Sequence, residues 1–405
     1  MATSLLNKMP KSTLRRVVDV LSGFWVASIC ILLLGVLTWL GTLEQVDAGL
    51  LAVKKKYFSA SSVFLLPKIN GHLVPFPLPS AYWVGVVFFV NLLLGTIFKV
   101  RWRPQMAGVI IAHFGMMFLL LGAFVTQHFS QRGNMAISEG ETSDVAEHYD
   151  EYVIEAVELA EGAPKKIHVI ETRYLEGLRP AEERLFRMPE LPFDLRVDQY
   201  HVNVRAQSVK VLQPKSDQPV VDGFFLEALE NEIEAERNLA GCRVTVMTKD
   251  GEPYQEHLVC AASYHPATIT WGDELFSLNI RKALWKMPFD VKLNDFLHEF
   301  HPGTRRPKRF ESQVTRIEGG REENVLIKMN QPMRRDGFTF FQASWGPQDA
   351  APGSPLYSVF EVVKNPADKW PEYALYVTTV GLLLHFVMKL VFFILNQIRS
   401  SERKS

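Results

Sequence analysis

Gln105-Met106-Ala107-Gly108-Val109-Ile110-Ile111-Ala112-His113-Phe114-Gly115-Met116-Met117-Phe118-Leu119-Leu120-Leu121-Gly122-Ala123-Phe124-Val125-Thr126 contains no aspartate, glutamate, lysine or arginine. A helix needs about 20 mostly apolar residues to cross the hydrocarbon of a bilayer, so this run reads as a membrane span. Three others match it: residues 20–43, 80–98 and, from near Tyr373 to near Ile398, a last one interrupted only by Lys389. The alternative, a very apolar core helix, is disfavoured because such helices are shorter. The reading of fold class is therefore a polytopic membrane protein. It has four transmembrane α-helices plus one large β-rich extracytoplasmic domain. Residues 1–126 form a membrane region with three spans, 127–371 the β-rich domain, and 372–405 the fourth span and a cytoplasmic tail.

Charge placement orients the spans. Lys8, Lys11, Arg15 and Arg16 precede the first, Lys99, Arg101 and Arg103 fill the connection between the second and third, and Lys389, Arg399, Arg403 and Lys404 close the chain. An even number of spans brings these three places to one side, which basic residues mark as the cytoplasm. Lys54, Lys55 and Lys56 break the rule locally and read as the polar face of an interfacial helix. Trp39, Tyr82, Trp83, Trp102, Trp370 and Tyr373 fall at span ends, where amphipathic rings prefer to sit. The first apolar run is too long for a signal peptide and lacks a small-x-small cleavage site, so it is expected to stay as an anchor. The 405 residues hold 44 basic and 44 acidic side chains, leaving no basic surplus for a nucleic-acid partner.

Between the third and fourth spans, strand-like runs dominate: Tyr152–Val157, Lys166–Ile170, Phe193–Val204, Arg243–Met247 and Phe338–Phe341. Lys249-Asp250-Gly251 and Glu318-Gly319-Gly320 read as hairpin turns, and helical periodicity is strongest in Asp222–Leu239. A sandwich-like or barrel-like domain follows. Cys242 and Cys260 stand nine residues either side of Gly251, so they either face each other as a disulfide or remain two buried thiols. Their spacing is not that of a thioredoxin C-x-x-C, and Cys30 reads as apolar filler.

The chain has no C-x-x-C-H, no phosphate-cradling glycine loop and no H-E-x-x-H. His298 and His301 flank Glu299-Phe300 just before Pro302 and read as a surface pair at a turn. The informative histidines are His113 and His385, each inside a span. An ionisable group there costs roughly 2.5 kcal/mol or more and usually faces protein. His113 lies about 12 Å from the cytoplasmic end of its helix and His385 about 20 Å, so their depths are similar. Neutral imidazole is the usual axial ligand of haem iron; the bland alternative is a hydrogen bond to a neighbouring helix. Lys389, one turn below His385, either meets a propionate or snorkels to the interface, and Asn91 reads as a link between helices. Gly108, Ala112, Gly115 and Gly122 form a stripe that permits close helix contact.

Several runs resemble the ResB (CcsB) family of cytochrome c biogenesis proteins. They are Gly41-Thr42-Leu43-Glu44-Gln45-Val46-Asp47, His113-Phe114-Gly115 with Leu119–Ala123, Gly140-Glu141-Thr142-Ser143, Phe310-Glu311-Ser312, and Asn330-Gln331-Pro332-Met333 leading through Gly337 to Phe341-Gln342-Ala343-Ser344-Trp345. The resemblance implies a role in system II cytochrome c assembly: carrying haem across the membrane, keeping its iron reduced and presenting it to apocytochrome c. It implies a CcsA-type haem-handling partner in the bilayer, a thiol-reducing partner, and transient, non-covalent haem. It matches His113 to the family's intramembrane ligand, whose opposite ligand comes from the partner; His385 rests on depth alone. Without a tryptophan-rich segment, the chain is expected to be a subunit of a haem-lyase complex and not catalytic alone. The expected location is the bacterial cytoplasmic (inner) membrane with both termini cytoplasmic, a plastid membrane being the alternative. Two other classes stay open: an intramembrane b-type electron carrier clamping haem between His113 and His385, and a non-haem scaffold or sensor.

Overall fold

A computed structural model describes residues 13–402 except 70–71, 74, 161–162, 180–181, 216–217, 305, 349–350 and 352–353. Lys8, Lys11, Arg403 and Lys404, counted above towards orientation, lie outside the described residues. The chain divides into two compact units, residues 1–130 with 365–405, and residues 131–364.

The first unit is helical. Helix α1 (Thr13–Leu21) leads into α2 (Phe24–Ala48), followed by α3 (Leu50–Phe58), α4 (Ala81–Leu94), α5 (Ala107–Phe129) and α6 (Trp370–Glu402). Four helical stretches are long and apolar enough to cross a membrane: Phe24–Ala48, Ala81–Lys99, Pro104–Phe129 and Trp370–Ser401. The protein is thus a four-span membrane protein with a β-rich domain. The helix carrying the first span runs on to Ala48, five residues past the last apolar residue of the sequence reading, because Glu44 finds buried partners instead of ending the helix. A short α3 carries Lys54–Lys56, as expected of an interfacial helix. Asn91 is buried and its Nδ2 donates to the carbonyls of Leu21 (2.5 Å) and Gly23 (2.9 Å), satisfying the break between α1 and α2. Leu37, Leu40, Val53, Tyr57, Val84, Phe88 and Met117 pack α2, α3, α4 and α5 into one core.

The second unit is made of strands β1 (Gln131–Ser138), β2 (Thr142–Ala160), β3 (Ala163–Glu171), β4 (Glu183–Phe186), β5 (Asp194–His201), β6 (Val204–Ser208), β7 (Phe224–Ala228) and β8 (Gly241–Met247). The rest are β9 (Pro253–Cys260), β10 (Ala267–Trp271), β11 (Glu274–Phe300), β12 (Pro307–Glu318), β13 (Arg321–Lys328), β14 (Met333–Arg335), β15 (Phe338–Gly346) and β16 (Tyr357–Lys364). A ten-stranded sheet has the order β13-β12-β11-β2-β1-β16-β15-β14, with β10 beside β11 and β3 beside β2. A four-stranded sheet has the order β9-β8-β5-β4, and β6 pairs β7. The long strands β2 and β11 run through both cores of the unit. They pair with each other across register shifts at Lys282/Leu284 and Lys286/Val291, while their outer neighbours change from β3 and β10 along one half to β1 and β12 along the other. Ile154, Ala156, Phe276, Leu278 and Ile280 face the four-stranded sheet's Leu195, Val197, Val244 and Val246 in a sandwich. Val291, Leu293, Val314, Ile327, Phe340 and Phe360 fill a second core, around which the ten-stranded sheet curls and β13 returns beside β15. Sandwich-like and barrel-like halves therefore coexist.

Two expectations change, and of the two alternatives for the cysteines the buried thiols hold. Asp222–Leu239 is not helical; it holds β7 and a single 3-10 turn, Ala235–Arg237. Five glutamates between positions 227 and 236 repel one another along any helix face, while Phe225 and Leu226 gain burial as strand residues. The run Phe193–Val204 breaks after His201 into two strands that enter different sheets. Cys242 and Cys260 form no disulfide. The hairpin centres on Asp250 and not Gly251, with Met247 opposite Pro253, and the bulge between Val246 and Met247 makes up only one of the two residues of difference, so Cys242 pairs with Val259 and Gly241 with Cys260. One residue of slip turns a side chain to the opposite face. Cys242 accordingly enters the sandwich core and Cys260 a separate cluster with Val204 and Leu226.

Candidate functional site

At roughly 100° per residue, α5 presents two stripes about 140° apart. Gly108, Ala112, Gly115 and Gly122 make the first, against α6. A Cβ added at Gly108 would lie 2.5 Å from His385 N and 2.6 Å from Gly381 O; one at Gly381 would lie 2.5 Å from Ala112 N. Backbone touches backbone there, which only glycine permits. Further along, Phe118 stacks on Trp370 with ring centres 5.1 Å apart.

The second stripe is His113, Met117, Leu120, Phe124 and Gln127, spaced alternately by four and three residues. Met117 is buried in the core shared with α2 and α4, so this stripe faces the first two spans. His113 Nδ1 lies 2.8 Å from the carbonyl oxygen of Val109. A carbonyl can only accept, so Nδ1 carries the proton and Nε2 keeps the free lone pair. That is the tautomer in which imidazole binds a metal, with the ring fixed by its other nitrogen.

His385 sits on the stripe Ala374, Thr378, Gly381 and His385 of α6, pressed on Gly108. Its Nδ1 is buried with no hydrogen-bond partner among the described residues. His385 lies level with Gly108, five residues or about 7.5 Å along the helix from His113, and the two imidazoles belong to different faces of the α5 packing.

Above His113 on the same stripe, Leu120 and Phe124 wall a cavity of about 570 Å³ that neither His113 nor His385 lines. Its other walls come from α2, α3 and α4. Two features near it escaped the sequence reading. His128 Nε2 lies 3.1 Å from Tyr82 Oη, and a lone imidazole at a span end carries no pattern that would single it out. Glu44 is buried, its carboxylate accepting from Lys56 Nζ (2.6 Å), Tyr57 Oη (2.7 Å) and Lys68 N (3.0 Å). Burial, and then this carboxylate, push the Tyr57 phenol well above its ordinary range.

In the β domain, the short motifs of the sequence converge. Ser312 Oγ donates to Gln342 Oε1 (2.6 Å) and meets Ser358 Oγ (2.9 Å), while Gln342 Nε2 donates to Ser344 O (3.0 Å). Beside this network Trp345 stacks on His298 at 4.3 Å, with Phe296, Phe300 and Phe310 around them. His298 is therefore half of an aromatic stack on β11 and not a turn residue. Among the described residues, no group of three or more His, Cys, Asp or Glu side chains is placed to hold a metal ion. Gly140, at a φ of 86°, turns β1 into β2, and Glu139 accepts from Phe296 N (2.9 Å) and Leu356 N (3.0 Å), tying this turn to the same strands.

No curated protein matches the chain. Residues 267–358, which hold β10 to β15 with the Ser312–Gln342–Ser358 network and the Trp345 stack, match the model of the ResB-like family. The resemblance read from the sequence is borne out in this stretch, where the chain is similar to the ResB-like family.

Proposed function

We propose that this protein is a subunit of the system II cytochrome c assembly machinery, helping to carry haem across the membrane and present it to apocytochrome c. The match to the ResB-like family connects the chain with cytochrome c biogenesis in general. The observation that supports the finer reading is His113: an intramembrane imidazole whose Nδ1 is engaged by Val109 O, leaving Nε2 as a donor nitrogen between apolar helices. Haem, as cargo, is the group this donor suits, supplying an iron that takes axial nitrogen. His113 would hold it from one side, with the opposite ligand supplied by a CcsA-type partner. His385 is the weaker candidate, because it emerges from the α6 face that rests on Gly108 and not beside the His113 stripe. For the same reason a b-type carrier clamped by both histidines is the less favoured reading.

In this account the cytoplasmic side is the one reached by Lys99, Arg101, Arg103 and Arg399, the β domain lies outside, and the membrane is the bacterial cytoplasmic one. The domain then serves as a platform for the partner or the apocytochrome.

The test is genetic. A strain lacking the protein should lose covalently haem-stained c-type cytochromes, wild type should restore them, His113→Gly should not, and His385→Ala should restore most. Normal c-type cytochromes in the deletion strain would sink the proposal in favour of a scaffold or sensor.

A further inference from the structure

Strand β3 is nine residues long and, among the described residues, pairs with β2 alone. A row of backbone N–H and C=O groups therefore faces outward along its other side, a template for a further strand. Such edges are normally guarded by shortness, proline, lysine or a bulge. Of the other sandwich edges, β4 has four residues, β10 has five, and β9 is tied to β10 by Tyr254 Oη, which donates to Thr270 O (3.2 Å). In β3 the guards stand at one end only: Pro164, Lys166 and a register shift opposite Glu158 and Leu159. The run that follows, Ile167-His168-Val169-Ile170, holds neither proline nor lysine.

Alternation gives this run two faces. Ile170 is buried in the sandwich core, and on the same side Lys166 Nζ and His168 Nδ1 lie 2.7 and 3.7 Å from Glu190 Oε2. On the other side Ile167 and Val169 are 53% and 51% exposed. The open apolar face continues inward over the sheet, where Val157 stands opposite Ile167 and the exposed Leu275 opposite Leu159.

A second copy of the same strand complements this edge in one register. Antiparallel pairing centred on His168 sets Ile167 of each copy opposite Val169 of the other, and Lys166 opposite Ile170. The four exposed apolar side chains then lie together on one face. On the other face each Lys166 stands diagonal to the other copy's His168, in reach of the Glu190 beside it, so each carboxylate lies between two lysines. Centring on Val169 instead would set Ile167 against Glu171 and lose both matches. We propose that the free edge of β3 is a homodimer interface, in which two copies of this chain pair antiparallel about His168 and join their sheets into one. The proposal is independent of the haem reading, and its test touches no residue of that reading.

The experiment is the molar mass of the full chain in mild detergent, measured by light scattering on a sizing column. The wild type should run as two copies per particle. Ile167→Lys with Val169→Lys puts lysine opposite lysine twice across the axis, and should give a single copy. Both side chains are half exposed, so the melting temperature should not change. Ile167→Glu with Val169→Lys puts opposite charges across the axis in the His168-centred register alone, and should restore two copies. A wild type of one copy would overturn the proposal and leave the edge to a different protein. A dimer that persists in the folded double-lysine protein would place the interface elsewhere. A single copy in the glutamate–lysine protein would overturn the pairing about His168.

Discussion

Glu44 shows how a single side chain can hold an element that apolar patterning leaves loose. It follows the last apolar residue of the first span, so by hydropathy it reads as the end of the membrane helix. Its three donors let it continue the helix instead, and they bind α3 back against α2. Glu44→Ala should therefore destabilise the helical unit by about 2 kcal/mol, the scale of hydrogen bonds to a charged group, seen as a lower melting temperature in detergent. Lys56 is partly exposed and can return to water, which limits the loss. An unchanged melting temperature would remove Glu44 from this role. At the same scale, Cys242 and Cys260 should both react with an alkylating agent after unfolding without reductant. Burial pushes the Cys242 thiol far up, so in the folded protein it should stay unreactive at neutral pH. A mass matching an oxidised pair would contradict the bulged register. The pairing question could not be decided from sequence because both the exact centre of the turn and a one-residue bulge set the register, and neither leaves a mark in the hydrophobic alternation.

Among elements, the α5–α6 crossing was legible beforehand. Small residues at helical spacing announced it, and the structure places backbone against backbone there. Gly381→Leu should drive the helices apart, costing about 1–3 kcal/mol or more, since the facing atoms are backbone and cannot swing away. A lower melting temperature in detergent for Gly381→Leu than for Gly35→Leu, where an added Cβ meets nothing within 4 Å, supports the contact, and equal melting temperatures contradict it. The strands were legible where alternation was clean, as in β2, β8 and β15. Asp222–Leu239 misled because its apolar spacing suits a helix while its run of glutamates does not. Strands β12 and β13 also carry ion pairs, within β12 and from β14 to β13, that hydrophobic alternation does not announce. Arg309 holds Glu311 below the ordinary carboxylate range, and Arg335 does the same to Glu323. A depressed folded-state value stabilises the fold above the unfolded value, about 4.3 for glutamate, and that contribution is lost as pH falls through the lower folded value. Hydrogen exchange in β12 and β13 should therefore accelerate as pH drops below about 4.3 once corrected for intrinsic rates, and Glu311→Gln should flatten the change. Protection that grows on acidification would contradict the sign.

For the whole molecule, four spans and a β-rich domain could be read from length, charge and alternation alone. The candidate site was legible only in part. His113 and His385 stood out as imidazoles in apolar helices, but sequence could not show that they belong to different faces of the packing, nor that Val109 fixes the tautomer of one. The short motifs of the β domain gave no hint that Ser312, Gln342 and Ser358 would meet, since 46 positions separate the first and last. The central claim, that His113 is an axial ligand for haem in transit, is tested most directly by spectrum. The protein, co-expressed with a CcsA-type partner and purified in detergent, should show a Soret band that His113→Gly loses and added imidazole restores. A band unchanged by His113→Gly, or no band in either sample, would contradict it.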